Sequence, residues 1–180
     1  VRAGESRRLN PGFFRRMQGG LPWVRLKLAA SLDGRTALAS GESRWITGEA
    51  ARADVQRWRA RSSVVLTGTD TILADDPGLN VRLAGAERQP LRVVLDRRLR
   101  VSPEARVFAS PGEALVFTAS EDPARRAALA SRGVRVESTP AAAVGLALEP
   151  ILRRLAQLSA NEVWIEAGAR LAGAFVSAGL

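Results

Sequence analysis

Hydrophobic and polar positions along this chain change period repeatedly, and each change marks an element. Residues 23–31, "WVRLKLAAS", alternate: Val24, Leu26, Leu28 and Ala30 share one face, Arg25, Lys27, Ala29 and Ser31 the other, which predicts a strand. "LDGR" breaks it. Residues 47–61, "TGEAARADVQRWRAR", carry Val55 and Trp58 on one stripe and predict a helix with Thr47 as N-cap. Short β-branched runs follow at 62–68, 91–96 and 114–119. Asp122, Pro123 and Gly133 bracket a helix over 122–133, "VRVE" reads as the next strand, and 145–160 is helical with Pro150 near its first turn. "EVWIEAG" (162–168) is a strand leading into a final helix that begins with "ARLAGAFVSAGL". Strands separated by helices predict an α/β fold, with a mainly parallel sheet covered on both faces. Residues 1 to about 20, ending in "MQGG", read as a linker or a packed lead-in arm.

The chain of 180 residues is 46% hydrophobic and 25% charged, the profile of one globular domain. No apolar run reaches the roughly 20 residues that span a bilayer. With no Cys and no His there is no disulfide, no thiolate nucleophile, no Ser-His pair and no ordinary zinc ligand set, so no metal site is expected. The cytoplasm fits this composition. The net charge of +9 suits nucleic acid, an acidic surface or a phosphorylated small molecule, but the arginines are dispersed and there is no Tyr to stack bases. Nucleic-acid binding is therefore disfavoured. The opening "VRAGESRRLNPGFF" has neither an initiator Met nor a signal-peptide apolar core, so it reads as an internal piece of a longer protein.

Lys27 is the only lysine among 27 basic residues, set in an apolar run. Buried without a partner it would cost several kcal/mol, so either its face opens to water or it meets an anionic or polar ligand. The segment 31–48, "SLDGRTALASGESRWITG", is a polar, glycine-punctuated loop of the kind that carries binding sites. Its Trp45 either stacks on a planar ring or anchors the loop. "TGTDTILADDPGLNVR" (67–82) joins a strand end to hydroxyls, Asp75, Asp76 and a Pro-Gly turn; the adjacent carboxylates are caps, solvated groups or chemistry. "EAGARLAG" (166–173) puts Glu166 at a strand end before a glycine turn into a helix N-terminus, a geometry suited to a pyrophosphate.

These stretches, with "DVQRWRA", "QPLRVVLD" and "WIEAGARLAGAFVSAGL" in the same order, resemble the 5-amino-6-(5-phosphoribosylamino)uracil reductase domain of the bifunctional deaminase/reductase family of riboflavin biosynthesis. The resemblance covers nearly the whole chain. It implies a dihydrofolate-reductase-like fold, NADPH as hydride donor, and reduction of the substrate's ribosyl group to ribityl through an opened sugar, without a protein nucleophile. It also implies a homodimer and a phosphorylated pyrimidine as small-molecule partner. Residues 21–180 would be the reductase domain, shortened at its C-terminus, and 1–20 the lead-in from a deaminase half. Deamination itself needs His or Cys zinc ligands and cannot reside here.

Carried over by motif, Lys27 and Asp75 would be catalytic, Lys27 aiming its ammonium at the substrate and Asp75 handling the proton. Ser43, Arg59, Leu79, Arg82 and Glu166 resemble substrate contacts, the two arginines suited to a phosphate. Ala29, Trp45, Thr71 and Asp75 resemble cofactor contacts. Arg97 falls near the adenosine end, and Gly168, Ala169, Arg170, Leu171, Ala172, Gly173 and Ala174 form the turn that cradles the diphosphate. Arg170 departs from the small hydroxyl residue common at its position, so it either grips the diphosphate or blocks it. A pteridine or folate reductase on the same fold is the nearest alternative; a basic nucleic-acid-binding module and a non-catalytic remnant are others.

Overall fold

The computed structural model describes residues 2–43 and 45–180. Its centre is a sheet of strands β1 (Trp23–Lys27), β2 (Val64–Gly68), β3 (Leu91–Leu95), β4 (Ala114–Thr118), β5 (Arg135–Ser138) and β6 (Glu162–Glu166), in the order β1-β6-β2-β3-β4-β5 with every pairing parallel. Central strands β2, β3 and β4 are buried on both faces, which is why they read as β-branched runs rather than as alternations. Edge strands β1 and β5 are half-covered.

Helices α1 (Ala3–Leu9), α2 (Pro11–Gly19), α3 (Glu49–Arg61), α4 (Thr69–Asp75), α5 (Arg106–Ala109), α6 (Pro123–Ala130), α7 (Leu148–Gln157) and α8 (Ala169–Ser177) surround the sheet. One core joins Leu66, Leu115, Phe117 and Ile165 to Ile151, Leu152 and Leu155 of α7 and Phe175 of α8. The opposite core joins Val65, Val94, Val116 and Trp164 to Ile72 of α4, Val107 of α5 and Leu129 of α6, with Val55 and Trp58 of α3 packed alongside. Each fully buried Leu or Phe contributes roughly 2–3 kcal/mol of transfer free energy.

Several local expectations are corrected. β1 stops at Lys27 because its partner β6 stops at the register mate Glu166; with no ladder to continue, Leu28 stands 54% exposed rather than on the core face. Thr47 is not the cap of α3. Gly48 is, with no side-chain cap bond, while the Thr47 carbonyl accepts from Arg52 Nη1 at 2.5 Å and ties the loop to the helix. Asp122 does cap α6, its carboxylate accepting from the Arg125 N–H at 3.1 Å.

Residues 3–19, read from the sequence as a linker or a packed lead-in arm, form α1 and α2, and α2 docks where β6 begins. Gly12 makes that approach possible: a Cβ there would lie 2.5 Å from the Asn161 carbonyl oxygen. Arg16 Nε adds a 2.7 Å bond to Asn161 Oδ1. α5 has no counterpart in the sequence pattern. It is organised by Arg92 of β3, fully buried, whose guanidinium donates to the carbonyls of Val107, Ser110, Pro111 and Gly112. Burial pushes the Arg92 pKa down from its ordinary value.

The chain steps outward through β2, β3, β4 and β5, then returns to insert β6 between β1 and β2. From adjacent strands β2 and β6 it therefore leaves to opposite faces, into α4 and α8. That reversal opens a crevice beyond the strand C-termini.

Candidate active site

A cleft of about 650 Å³ occupies this crevice, lined from β2 and α4 by Gly68, Thr69, Asp70 and Thr71, and from β6 and α8 by Ala167, Gly168, Ala169, Arg170, Leu171 and Ala174. Leu95 to Arg98, Arg100, the segment Ala143–Leu146 and Leu148 complete it. Gly168 is the N-cap of α8 in extended backbone with no side-chain cap, so the first N–H groups of that helix have no side-chain acceptor among the described residues. A Cβ on Gly168 would meet nothing within 4 Å, whereas one on Gly68 would come 3.1 Å from Leu171 Cδ2. Gly68 lets α8 close on the β2 turn; Gly168 leaves open space at the helix end. These backbone donors and that space fit a diphosphate.

The rim is cationic. Arg97, Arg98 and Arg100 project from a loop folded around Asp96, itself 1% exposed, which accepts from the N–H of Val101 at 2.7 Å and of Arg98 at 3.3 Å. Asp70 meets Arg100 at 3.1 Å and Arg170 at 3.6 Å, and the Arg170 side chain is 89% exposed. Arg170 therefore stands at the mouth and does not fill the cleft. Asp96, Arg98 and Arg100 were missed by motif reading, although the run "LDRRLR" directly after a strand carried the signal.

Beside this cleft, at the ends of β1 and β6, lies a second cluster. Arg59 of α3 grips Glu166 at two points, Nε to Oε1 at 2.6 Å and Nη2 to Oε2 at 2.9 Å, and its Nη1 donates to the Asn80 carbonyl at 3.0 Å. Trp164 Nε1 donates to Glu166 Oε1 at 3.0 Å, and Thr67 Oγ1 to the Glu166 carbonyl at 2.7 Å. Arg59, expected from the sequence as a substrate contact suited to a phosphate, has its guanidinium buried and bonded to a carboxylate and to the Asn80 carbonyl. Lys27 is half-buried, and its ammonium has no hydrogen-bond or ion-pair partner among the described residues.

The remaining sequence candidates are spread around these two clusters. Leu79 has φ +53° and is 2% exposed with its side chain in the core, so only its backbone can meet a ligand. Arg82 is exposed; its N–H donates to Gln56 Oε1 at 2.9 Å. Thr71 lines the cleft, while Asp75 lies at the far, exposed end of α4 and outside the lining. Ala29, Ser43 and Trp45 belong to the long segment after β1, also outside the lining, and Trp45 sits under the Arg52 guanidinium at 4.5 Å. Ala172 and Gly173 of α8 do not reach the cleft surface.

Among the described residues no helix is long and apolar enough to cross a membrane, and no group of three or more acidic residues is placed to hold a metal ion.

Comparison with known proteins agrees with this architecture. The chain is 43% identical over 188 residues to the riboflavin biosynthesis protein RibD of Escherichia coli, covering 98% of this chain and 50% of that protein. The structure of RibD from Acinetobacter baumannii superposes with a TM-score of 0.85 at 45% identity, over 97% of this chain and 48% of that one. A Thermotoga maritima protein described as a diaminohydroxyphosphoribosylaminopyrimidine deaminase/5-amino-6-(5-phosphoribosylamino)uracil reductase gives a TM-score of 0.81 at 32% identity, over 97% of this chain and 47% of that one. The chain thus spans about half the length of these relatives. Residues 22–180 match the model of the RibD C-terminal domain, and the chain belongs to that family.

Proposed function

We propose that this chain is the reductase unit of riboflavin biosynthesis, reducing the ribosyl group of 5-amino-6-(5-phosphoribosylamino)uracil to ribityl with NADPH. The observation that carries the reading is the adjacency of two unlike sites at the strand C-termini. One is a glycine-lined cleft at a helix N-terminus with a guanidinium rim; the other is a Lys27–Glu166–Arg59 cluster beside it.

The α8 N-terminus, from Gly168 to Leu171, would hold the cofactor's diphosphate through backbone N–H groups, and Thr71 would meet it from the facing wall. Arg97 would take the 2′-phosphate, with Arg98 and Arg100 raising the local positive potential. Trp45, Ala29 and Asp75 complete the cofactor contacts in this reading. The chemistry that the cofactor supplies when bound is the delivery of hydride to the former ribosyl C1.

The chain's own residues bind and orient. Lys27 directs its ammonium to the polar groups of the opened sugar, and Glu166, fixed by Arg59, accepts from substrate donors with the lone-pair capacity left on Oε2. Arg82, with Ser43 and the Leu79 backbone, receives the phosphoribosyl end. Asp75 handles the proton. Residues 1–20 serve as the lead-in from a deaminase half, and the assembly is a cytoplasmic homodimer.

NADPH carrying deuterium at the transferable C4 position tests this reading. One deuterium is expected on the ribityl C1 of the product, read by mass spectrometry. An unlabelled product, or none, contradicts it.

A further inference from the structure

On β6, Glu162, Trp164 and Glu166 alternate onto the face that α3 covers, and Arg25 and Lys27 of β1 share that face. Toward the start of the strand the cations take the carboxylate: Arg61 lies 3.3 Å and Arg25 3.5 Å from Glu162. At the far end the pattern fails. Lys27 and Glu166 are register partners on parallel strands roughly 4.8 Å apart. Opposite charges so placed ordinarily pair, yet the Lys27 ammonium has no partner among the described residues.

The reason lies on the other side of the carboxylate. Oε1 accepts from both Arg59 Nε and Trp164 Nε1, and Oε2 from Arg59 Nη2. The Trp164 donor cannot follow the carboxylate if it turns. Its ring is stacked on Trp58 at 5.5 Å and 2°, and Trp58 is itself fixed by its Nε1–H to Asp54 Oδ2 at 3.0 Å and by the Arg25 guanidinium 4.8 Å over its ring. An indole N–H is a donor only, and Trp164 is 7% exposed, so Glu166 is also what satisfies it.

We propose that Trp164 is a positioning residue: with Arg59 it holds the Glu166 carboxylate off Lys27 and keeps that ammonium available to a ligand. Its consequence for turnover rests on the reductase reading; the geometry does not. Without the indole donor the carboxylate loses one of its three bonds, and Lys27 is the neighbouring cation that can replace it. Lys27 would then be neutralised by its own strand partner.

Because Lys27 is the only lysine, reductive methylation of the whole chain, quantified on the peptide carrying it, reads this ammonium alone. Trp164→Phe keeps a ring in the stack and removes the donor. It should slow Lys27 methylation by about threefold, the scale of a partly exposed ion pair. The double variant Trp164→Phe/Glu166→Gln, with no carboxylate to capture the amine, should restore the wild-type rate. In turnover, Trp164→Phe should raise KM for the phosphoribosyl pyrimidine about fivefold and leave NADPH affinity within twofold. Wild-type labelling in Trp164→Phe, or slowed labelling that the double variant does not restore, overturns the proposal. Failure of the wild-type protein to reduce the pyrimidine would remove the functional reading and leave the labelling comparison decisive for the inference.

Discussion

Arg59 and Glu166 lie 107 residues apart in the chain and meet side-on, with two parallel bonds of 2.6 and 2.9 Å between a guanidinium and a carboxylate that are 10% and 13% exposed. A planar fork is needed for such a pair, and an ammonium cannot supply it. Arg59→Lys should therefore keep the charge and still lose most of kcat/KM. Arg59→Leu, which leaves the carboxylate without its fork, should cost about 3 kcal/mol in urea unfolding. Equal stability of Arg59→Leu and wild type would show the pair to be dispensable.

For Lys27 the converse holds. The group is a compact ammonium at the end of a strand, and a guanidinium is longer, flat and presents its donors in a different geometry. Lys27→Arg is expected to fold with an unchanged melting temperature and to lose most activity. Full activity would make the lysine incidental.

Arg82 stands exposed on the turn after α4, its backbone held by Gln56. Arg82→Ala should raise KM for the phosphorylated substrate by roughly tenfold or more, the scale of a lost charge-assisted hydrogen bond, and change KM for NADPH little. Equal effects on both would remove Arg82 from the phosphate site.

Arg97 leaves β3 into the cleft mouth beside Arg98 and Arg100. Arg97→Ala should weaken NADPH binding by roughly tenfold or more while NADH, which lacks the 2′-phosphate, is affected far less. Fluorescence titration of both nucleotides separates the two. Parallel losses would place Arg97 elsewhere on the cofactor.

Arg92 carries no ligand in this account. Its guanidinium holds four carbonyls of the α5 region from inside the sheet. Arg92→Met should lower unfolding free energy by about 2 kcal/mol, since it takes the donor from the buried Val107 carbonyl and from three partly buried ones. An unchanged denaturation midpoint would mean that water replaces them at no cost.

How far the sequence alone reached follows from what each element depends on. The buried strands β2, β3 and β4 are written in local composition, and so is the Asp122 cap, because side chain and acceptor lie within one turn. The end of β1 depends on where β6 stops, 139 positions away in register, so the alternation that puts Leu28 and Ala30 on the Val24–Leu26 face runs past the last ladder pair. The cleft's glycine turn and Thr71 were legible as motifs. The commitment of Arg59 to Glu166, the burial of Leu79 and the role of Asp96 arise from tertiary packing, which no local pattern encodes. Trp164 read simply as a hydrophobic strand residue. Only its indole N–H, placed against Glu166 by the stack on Trp58, shows otherwise.

In the proposed reaction a reduced nicotinamide meets an opened phosphoribosyl sugar where the cleft adjoins the Lys27–Glu166–Arg59 cluster. The direct measurement is loss of the reduced-nicotinamide absorbance with 5-amino-6-(5-phosphoribosylamino)uracil and with dihydrofolate side by side. Steady NADPH oxidation with the first and none with the second is the predicted result; oxidation with dihydrofolate alone, or with neither by a folded protein, would contradict the account.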